Sequence, residues 1–167
     1  AEGWIAGPED EDPAYAEECR NLVASLGLTE KVKFLGFRKM EGLLPQVGLV
    51  VLSSISEALP LVLLEGFAIG VPAVSTDVGS CRQLIDGLSD ADQALGSAGR
   101  VVRLADPQGL ADAALELLND TPRWQAASAA GIARVEAYYT DAMMFGAYRA
   151  LYQKALATPT RAATEPR

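Results

Sequence analysis

The 167-residue chain contains no histidine. Imidazole acid–base chemistry and most zinc sites are thereby excluded within it, since histidine is the usual proton carrier near neutral pH and a common zinc ligand. Cysteine is scarce: Cys19 and Cys81 stand apart, without the spacing of a disulfide framework or a metal knuckle. Two unpatterned thiols suit a reducing compartment, and the expected location is cytoplasmic. Positive charge is also short, with 14 basic against 22 acidic residues and a net charge of −8. Nothing supplies a basic face, so nucleic acid is not an expected partner. No apolar run approaches membrane-spanning length, and the first residues lack the charged start and apolar core of a secretory leader.

What is present is an ordinary globular mixture, half hydrophobic and 22% charged, long enough for one domain with a sizeable core. The chain is organised around residues 48–80, GLVVLSSISEALPLVLLEGFAIGVPAVSTDVGS. Residues 49–52 form a short β-branched run that suits a strand buried on both faces. A small polar loop follows at 53–57, and Pro60 then stands where a missing N–H costs nothing at a helix entry. Residues 61–68 are apolar except for Glu65, which predicts a helix packed on a sheet. Gly70 ends that helix and residues 71–75 make a second buried strand, completing a parallel crossover.

Two acidic residues stand where a plain crossover needs none. Glu57 lies in the loop at the strand's carboxyl end, and Glu65 follows after seven intervening residues. Ligands of open α/β sheets bind at the carboxyl ends of strands, where helix N-termini present free N–H groups. The amides of Leu61 and Val62 are thus placed for phosphate oxygens, and the two carboxylates for hydroxyl groups. A nucleotide sugar has both. Taken alone, the pair also fits two solvated glutamates.

The flanks repeat the strand–helix alternation. Residues 3–7 read as a strand; Asp12-Pro13 starts a helix whose stripe is Ala16, Cys19, Val23 and Leu26, with Gly27 as its stop. Residues 32–35 form the next strand, and a short helix at 40–47 leads into the central stretch. Beyond it, Thr76 to Ser80 make a tight turn in which Gly79 either admits a bound sugar or is an ordinary turn glycine. A short helix follows at 81–85. Residues 86–99 are polar and read as a surface insertion, and 100–104 as the last strand. Asp106-Pro107 repeats the capped start, with Leu110, Ala114, Leu117 and Leu118 on one face. Thr121-Pro122 starts another helix, Thr140 caps a third, and 158–167 read as a disordered tail.

The stretch SSISEALPLVLLEGFAIGVPAVSTDVGSCRQLIDG, preceded by VKFLGF at 32–37 and followed by ALGSAGRVVRLADP at 94–107, resembles the donor-binding half of retaining GT-B glycosyltransferases of the family-4 type. Within that family it is most similar to the cytosolic glycosyltransferases of Pel-type exopolysaccharide systems (PelF-like). The likeness runs over about residues 4–156. It implies a Rossmann-like parallel sheet flanked by helices, spanning 1–157 as a C-terminal GT-B domain lacking its first strand. It further implies that Glu57 binds the donor sugar and Glu65 the ribose. Ala58, Leu59, Pro60, Leu61 and Val62 would contact sugar and diphosphate, largely through amides. Phe37 and Arg38 would meet the base, although Arg38 fits a solvated surface better. The implied donor is a UDP-sugar, with no metal and no other cofactor.

This sequence departs from the family pattern at Ala58, where glycine is usual, and at Gln83, where glutamate is usual. The family's basic pair, which neutralises the diphosphate, would lie before Ala1, as would the acceptor-binding N-terminal domain. The expected function is donor binding in a retaining hexosyltransferase of bacterial exopolysaccharide synthesis, with this chain alone inactive. The alternative is a non-catalytic nucleotide-sugar-binding module. Expected partners are the nucleotide sugar, a saccharide acceptor held by the N-terminal domain, and a membrane complex of polysaccharide synthesis. Met144, Tyr148, Leu151, Tyr152 and Ala155 form a stripe on the last helix. That stripe either packs on the chain's own sheet or is left for another domain or a dimer.

Overall fold

The computed structural model describes residues 1–157, so the expected tail at 158–167 lies outside the described residues. The chain divides into two compact units, Ala1–Val47 and Gly48–Arg167.

In the first unit, β1 (Gly3–Ala6) pairs in parallel with β2 (Val32–Gly36), with a register slip between Ile5 and Ala6. Helix α1 (Pro13–Ser25) connects them. Its start follows the sequence signal: the Asp12 side chain accepts from the Tyr15 amide, and proline occupies the first turn. Gly27 ends it at φ +68°. Ala16, Cys19 and Val23 are half-buried and Leu26 is exposed, so the stripe is shorter by one residue than its periodicity suggests. Arg20 spreads over the Phe34 ring, 4.4 Å from its centroid, and pairs with Glu9. Helix α2 (Met40–Leu43) and a 3-10 turn, Leu44–Gln46, close this unit.

The second unit is a three-stranded parallel sheet in the order β3 (Val50–Leu52), β4 (Ala73–Thr76), β5 (Gly99–Val102). Between them run α3 (Leu61–Ala68), α4 (Cys81–Asp86) and α5 (Asp90–Gln93); α6 (Pro107–Asn119), α7 (Thr121–Tyr138) and α8 (Asp141–Ala157) follow. Val74 on β4 packs with Ala113 and Leu117 of α6 and with Ala127 of α7. Leu63 and Phe67 of α3 are fully buried. Gly66 brings α3 close to β3, since a Cβ there would meet the Val50 side chain at 3.3 Å. Gly131 does the same for α7 against Phe67, at 3.2 Å.

Three expectations need correction. Strand β3 is not buried on both faces: Val50 is buried, whereas Val51, which points to the opposite face, is 52% exposed. Leu118 is likewise exposed, with Leu117 as the buried member of that pair. Residues 86–99 are not a surface insertion. They contain α5, and they bury Asp92, Ala98 and Gly99. The Asp92 carboxylate accepts from Arg134 Nε at 2.6 Å and from the Leu88 amide at 2.9 Å. Arg134 is fully buried and also donates to the carbonyls of Ile85, Asp92 and Gly96.

Helix α7 starts one residue earlier in its capping than Thr121-Pro122 suggests, because Asp120 accepts from the Arg123 amide at 3.0 Å. Asp120→Ala is expected to cost about 1 kcal/mol. For a chain of this size that corresponds to roughly 2–4 °C in thermal midpoint, with Asp120→Asn close to unchanged. Equal midpoints for the alanine and asparagine variants would show the cap to be idle.

No residue of α8 is buried, and Tyr148 and Tyr152 stack with ring centroids 6.3 Å apart. Met144, Tyr148, Leu151, Tyr152 and Ala155 are all exposed, so the stripe does not pack on the chain's own sheet.

Candidate functional site

The chain leaves β3 at Leu52 and reaches α3 at Leu61 through a loop, residues 53–60, whose main chain is held from the next strand. Thr76, the last residue of β4 and 2% exposed, donates its hydroxyl to the Ser54 carbonyl at 2.5 Å. At the other end of the loop, Ser80 donates both its amide (3.2 Å) and its hydroxyl (2.8 Å) to the Ala58 carbonyl. Between those two points sits Gly79, at φ +51°, where a Cβ would collide with the Glu57 carbonyl. The close approach that this glycine permits is therefore to the Glu57 loop itself. The turn carrying Gly79 is braced in its own right. The Asp77 amide donates to Val102, and Arg82 pairs with Asp77 at 2.6 Å and Asp86 at 3.5 Å. The Asp77 carboxylate beside it pushes the Arg82 pKa up.

Glu57 is half-buried, and its Oε1 accepts from the Ser54 hydroxyl at 2.7 Å. Its other oxygen has no protein partner among the described residues. Ala58, Leu59 and Leu61 are exposed, Val62 is half-buried and Pro60 is buried. Helix α3 opens at Pro60 without a side-chain cap, which leaves first-turn amides available to an anion. Glu65 is exposed, and among the described residues no hydrogen bond or ion pair engages it. It stands about 6 Å along the helix axis from Leu61.

Phe37 and Arg38 belong to the first unit, just past β2. Phe37 is 71% exposed, and Arg38 is exposed and folds back to donate to the Phe37 carbonyl at 3.1 Å. The structure thus brings Glu57 together with Ser54, Thr76, Gly79 and Ser80, and sets Leu61, Val62 and Glu65 on the adjoining helix. Ser54 and Thr76 were not singled out from sequence. Their one local signal is a serine three residues before an acidic residue, a spacing common in turns. Gln83 donates to the Tyr139 hydroxyl at 2.9 Å, tying α4 to the end of α7. Among the described residues no group of three or more acidic or cysteine side chains could hold a metal ion, and no helix is long and apolar enough to cross a membrane.

Residues 1–120 match the family model described as glycosyl transferases group 1. The chain is 31% identical over 141 residues to a lipopolysaccharide core biosynthesis mannosyltransferase, LpsB, of Rhizobium meliloti (strain 1021), covering 84% of this chain and 38% of that protein. It is 36% identical over 100 residues to the N-acetyl-alpha-D-glucosaminyl L-malate synthase of Bacillus anthracis, covering 59% and 24%. The chain therefore spans about two fifths and a quarter of these relatives' lengths. Among solved structures, Anabaena Alr3699/HepE in complex with UDP-glucose superposes with a TM-score of 0.81 at 21% identity, over 92% of this chain and 41% of that one. At that identity the likeness speaks for the fold, an α/β domain with parallel sheets flanked by helices, as in a GT-B glycosyltransferase.

Proposed function

Since the chain belongs to the glycosyl transferases of group 1, we propose that it is the donor-binding part of a retaining, family-4-type glycosyltransferase that uses a UDP-sugar. The observation that carries this reading is the pairing of a half-buried, oriented Glu57 with an uncapped α3 that bears Glu65, which has no partner among the described residues. A carboxylate with a free oxygen accepts from sugar or ribose hydroxyls, and bare helix amides donate to phosphate oxygens. In the proposed roles Glu57 holds the donor sugar and Glu65 the ribose. The amides at Leu61 and Val62 face the diphosphate, with Ala58 and Leu59 beside the sugar and Phe37 and Arg38 at the base.

In the proposed chemistry the bond from the sugar's anomeric carbon to the diphosphate oxygen breaks. A bond from that carbon to the acceptor hydroxyl oxygen forms on the same face, and the acceptor's proton passes to the departing diphosphate. The protein contributes position and a field complementary to the leaving charge. No metal or other cofactor enters the proposal. The charge balance instead calls for cationic side chains around the diphosphate, because two carboxylates on a chain of net charge −8 are poor company for it alone. An acceptor-binding domain covering the α8 stripe completes the scheme. The setting proposed is bacterial exopolysaccharide synthesis in the cytoplasm, with the Pel-type system as its narrowest form. The relatives described above support the family and do not select that system.

Titration of the full-length polypeptide with UDP and a panel of UDP-sugars tests this. Glu65→Ala is expected to weaken UDP itself about tenfold or more, the worth of a hydrogen bond to a charged group. Glu57→Ala is expected to leave UDP nearly unchanged while removing the extra affinity a sugar confers and lowering turnover. Equal losses of UDP affinity in both variants would end the division of roles. Tight binding of every UDP-sugar without transfer to any saccharide acceptor would instead favour a binding module.

A further inference from the structure

We propose that Ser54 is the positioning residue that aims the Glu57 carboxylate, an inference that rests on the donor-sugar role of Glu57. The Ser54 hydroxyl has one proton, and the geometry commits it to Glu57 Oε1 at 2.7 Å. The loop does not need that bond to keep its course. Its main chain is already gripped by Thr76 at the Ser54 carbonyl and by Ser80 at the Ala58 carbonyl. The Ser54–Glu57 bond is the side-chain-to-side-chain hydrogen bond of this loop among the described residues, and what it orders is the carboxylate. Thr76 supplies the fixed point. Its own single hydroxyl proton is spent on the Ser54 backbone at 2.5 Å, so the serine that aims Glu57 is anchored to a buried strand end. One carboxylate oxygen is thereby occupied and the other is presented, an arrangement that favours one sugar hydroxyl direction over others and pre-orders a flexible side chain before ligand arrives.

The test compares Ser54→Ala, Ser54→Thr and Glu57→Ala in the full-length polypeptide. UDP and UDP-glucose, UDP-galactose and UDP-N-acetylglucosamine are titrated separately, and thermal midpoints are recorded. Expected for Ser54→Ala is about a tenfold loss of affinity for the best-bound UDP-sugar with UDP unchanged. Ser54→Thr, which keeps the hydroxyl, is expected to restore most of it, and the midpoints of the two variants should agree. Three results overturn the proposal: no loss in Ser54→Ala while Glu57→Ala does lose sugar-dependent affinity; equal weakening of UDP and UDP-sugar; or a loss that Ser54→Thr fails to recover. The first of these leaves the Glu57 reading standing. If the unsubstituted protein binds no UDP-sugar, or Glu57→Ala binds sugars as the original does, that reading falls and this one with it.

Discussion

Replacing Arg134 with methionine is expected to lower the unfolding free energy by about 3–5 kcal/mol, the usual cost of breaking a buried ion pair from one side. The reason lies in what stays behind. Asp92 keeps a carboxylate that is 3% exposed, with the Leu88 amide as its remaining partner. The carbonyls of Ile85, Asp92 and Gly96 lose their donor at the same time. Methionine restores most of the volume and none of the donors. Since whole-domain stabilities are typically 5–15 kcal/mol, a loss of this size takes a large share of what holds the second unit together. Arg134→Lys should recover only part, because an ammonium has three donors and no fork to span four acceptors. Pairing Arg134→Met with Asp92→Leu should cost less than the sum of the single changes, since it removes the stranded charge. Denaturant unfolding of the unsubstituted protein, the three single variants and the double variant reads all of this. A single-variant loss below about 1 kcal/mol would show the pair to be hydrated and the account of 86–99 to be mistaken.

The largest effect on ligand binding is expected from Gly79→Ala. Two costs coincide there: a left-handed backbone at φ +51°, and a Cβ that meets the Glu57 carbonyl. Gly27 separates them, because it has φ +68° with open space around its missing Cβ. Gly27→Ala should therefore cost only the backbone term, about 1–2 kcal/mol, and leave binding untouched. Gly79→Ala should cost more than that, and it should also push the Glu57 loop off the turn that holds it. Sugar-dependent affinity should fall at least as far as in Glu57→Ala, with UDP less affected, because α3 keeps its amides and Glu65. Calorimetry beside chemical unfolding checks both parts. Matching results for the two glycine variants in stability and in binding would refute the collision.

Local chemistry made much of this legible before any coordinates. Asp12-Pro13 and Asp106-Pro107 each open a helix with the aspartate accepting an amide of the first turn. The run at 61–68 is a helix that buries Leu63 and Phe67 and exposes Glu65. Such signals act over three or four residues, which is why they survive in a linear text. Interactions that join distant residues do not. Arg134 and Asp92 are 42 residues apart, and nothing around either marks it as half of a buried pair. The polarity that makes 86–99 look solvated is the polarity its interior bonds require. Val51 illustrates the converse, since a β-branched run shows a strand and leaves unstated which of its faces is covered. At the candidate site the glutamates were visible from their spacing. The grip on the loop was not, because Thr76 and Ser80 act on backbone carbonyls 22 residues away.

That grip has an evolutionary consequence. Because it closes on carbonyls, it is indifferent to the side chains the loop displays. Ile55 at 82% exposure, Ala58, and Leu59 at 46% carry none of the fastening. Any of them is open to replacement by a larger, smaller or more polar residue while the main chain keeps its path and Glu57 its aim. A platform of this kind lets preference for one hydroxyl pattern over another drift by single substitutions, each tolerated by the fold, so that diversity at the loop surface and constancy of its frame are selected separately.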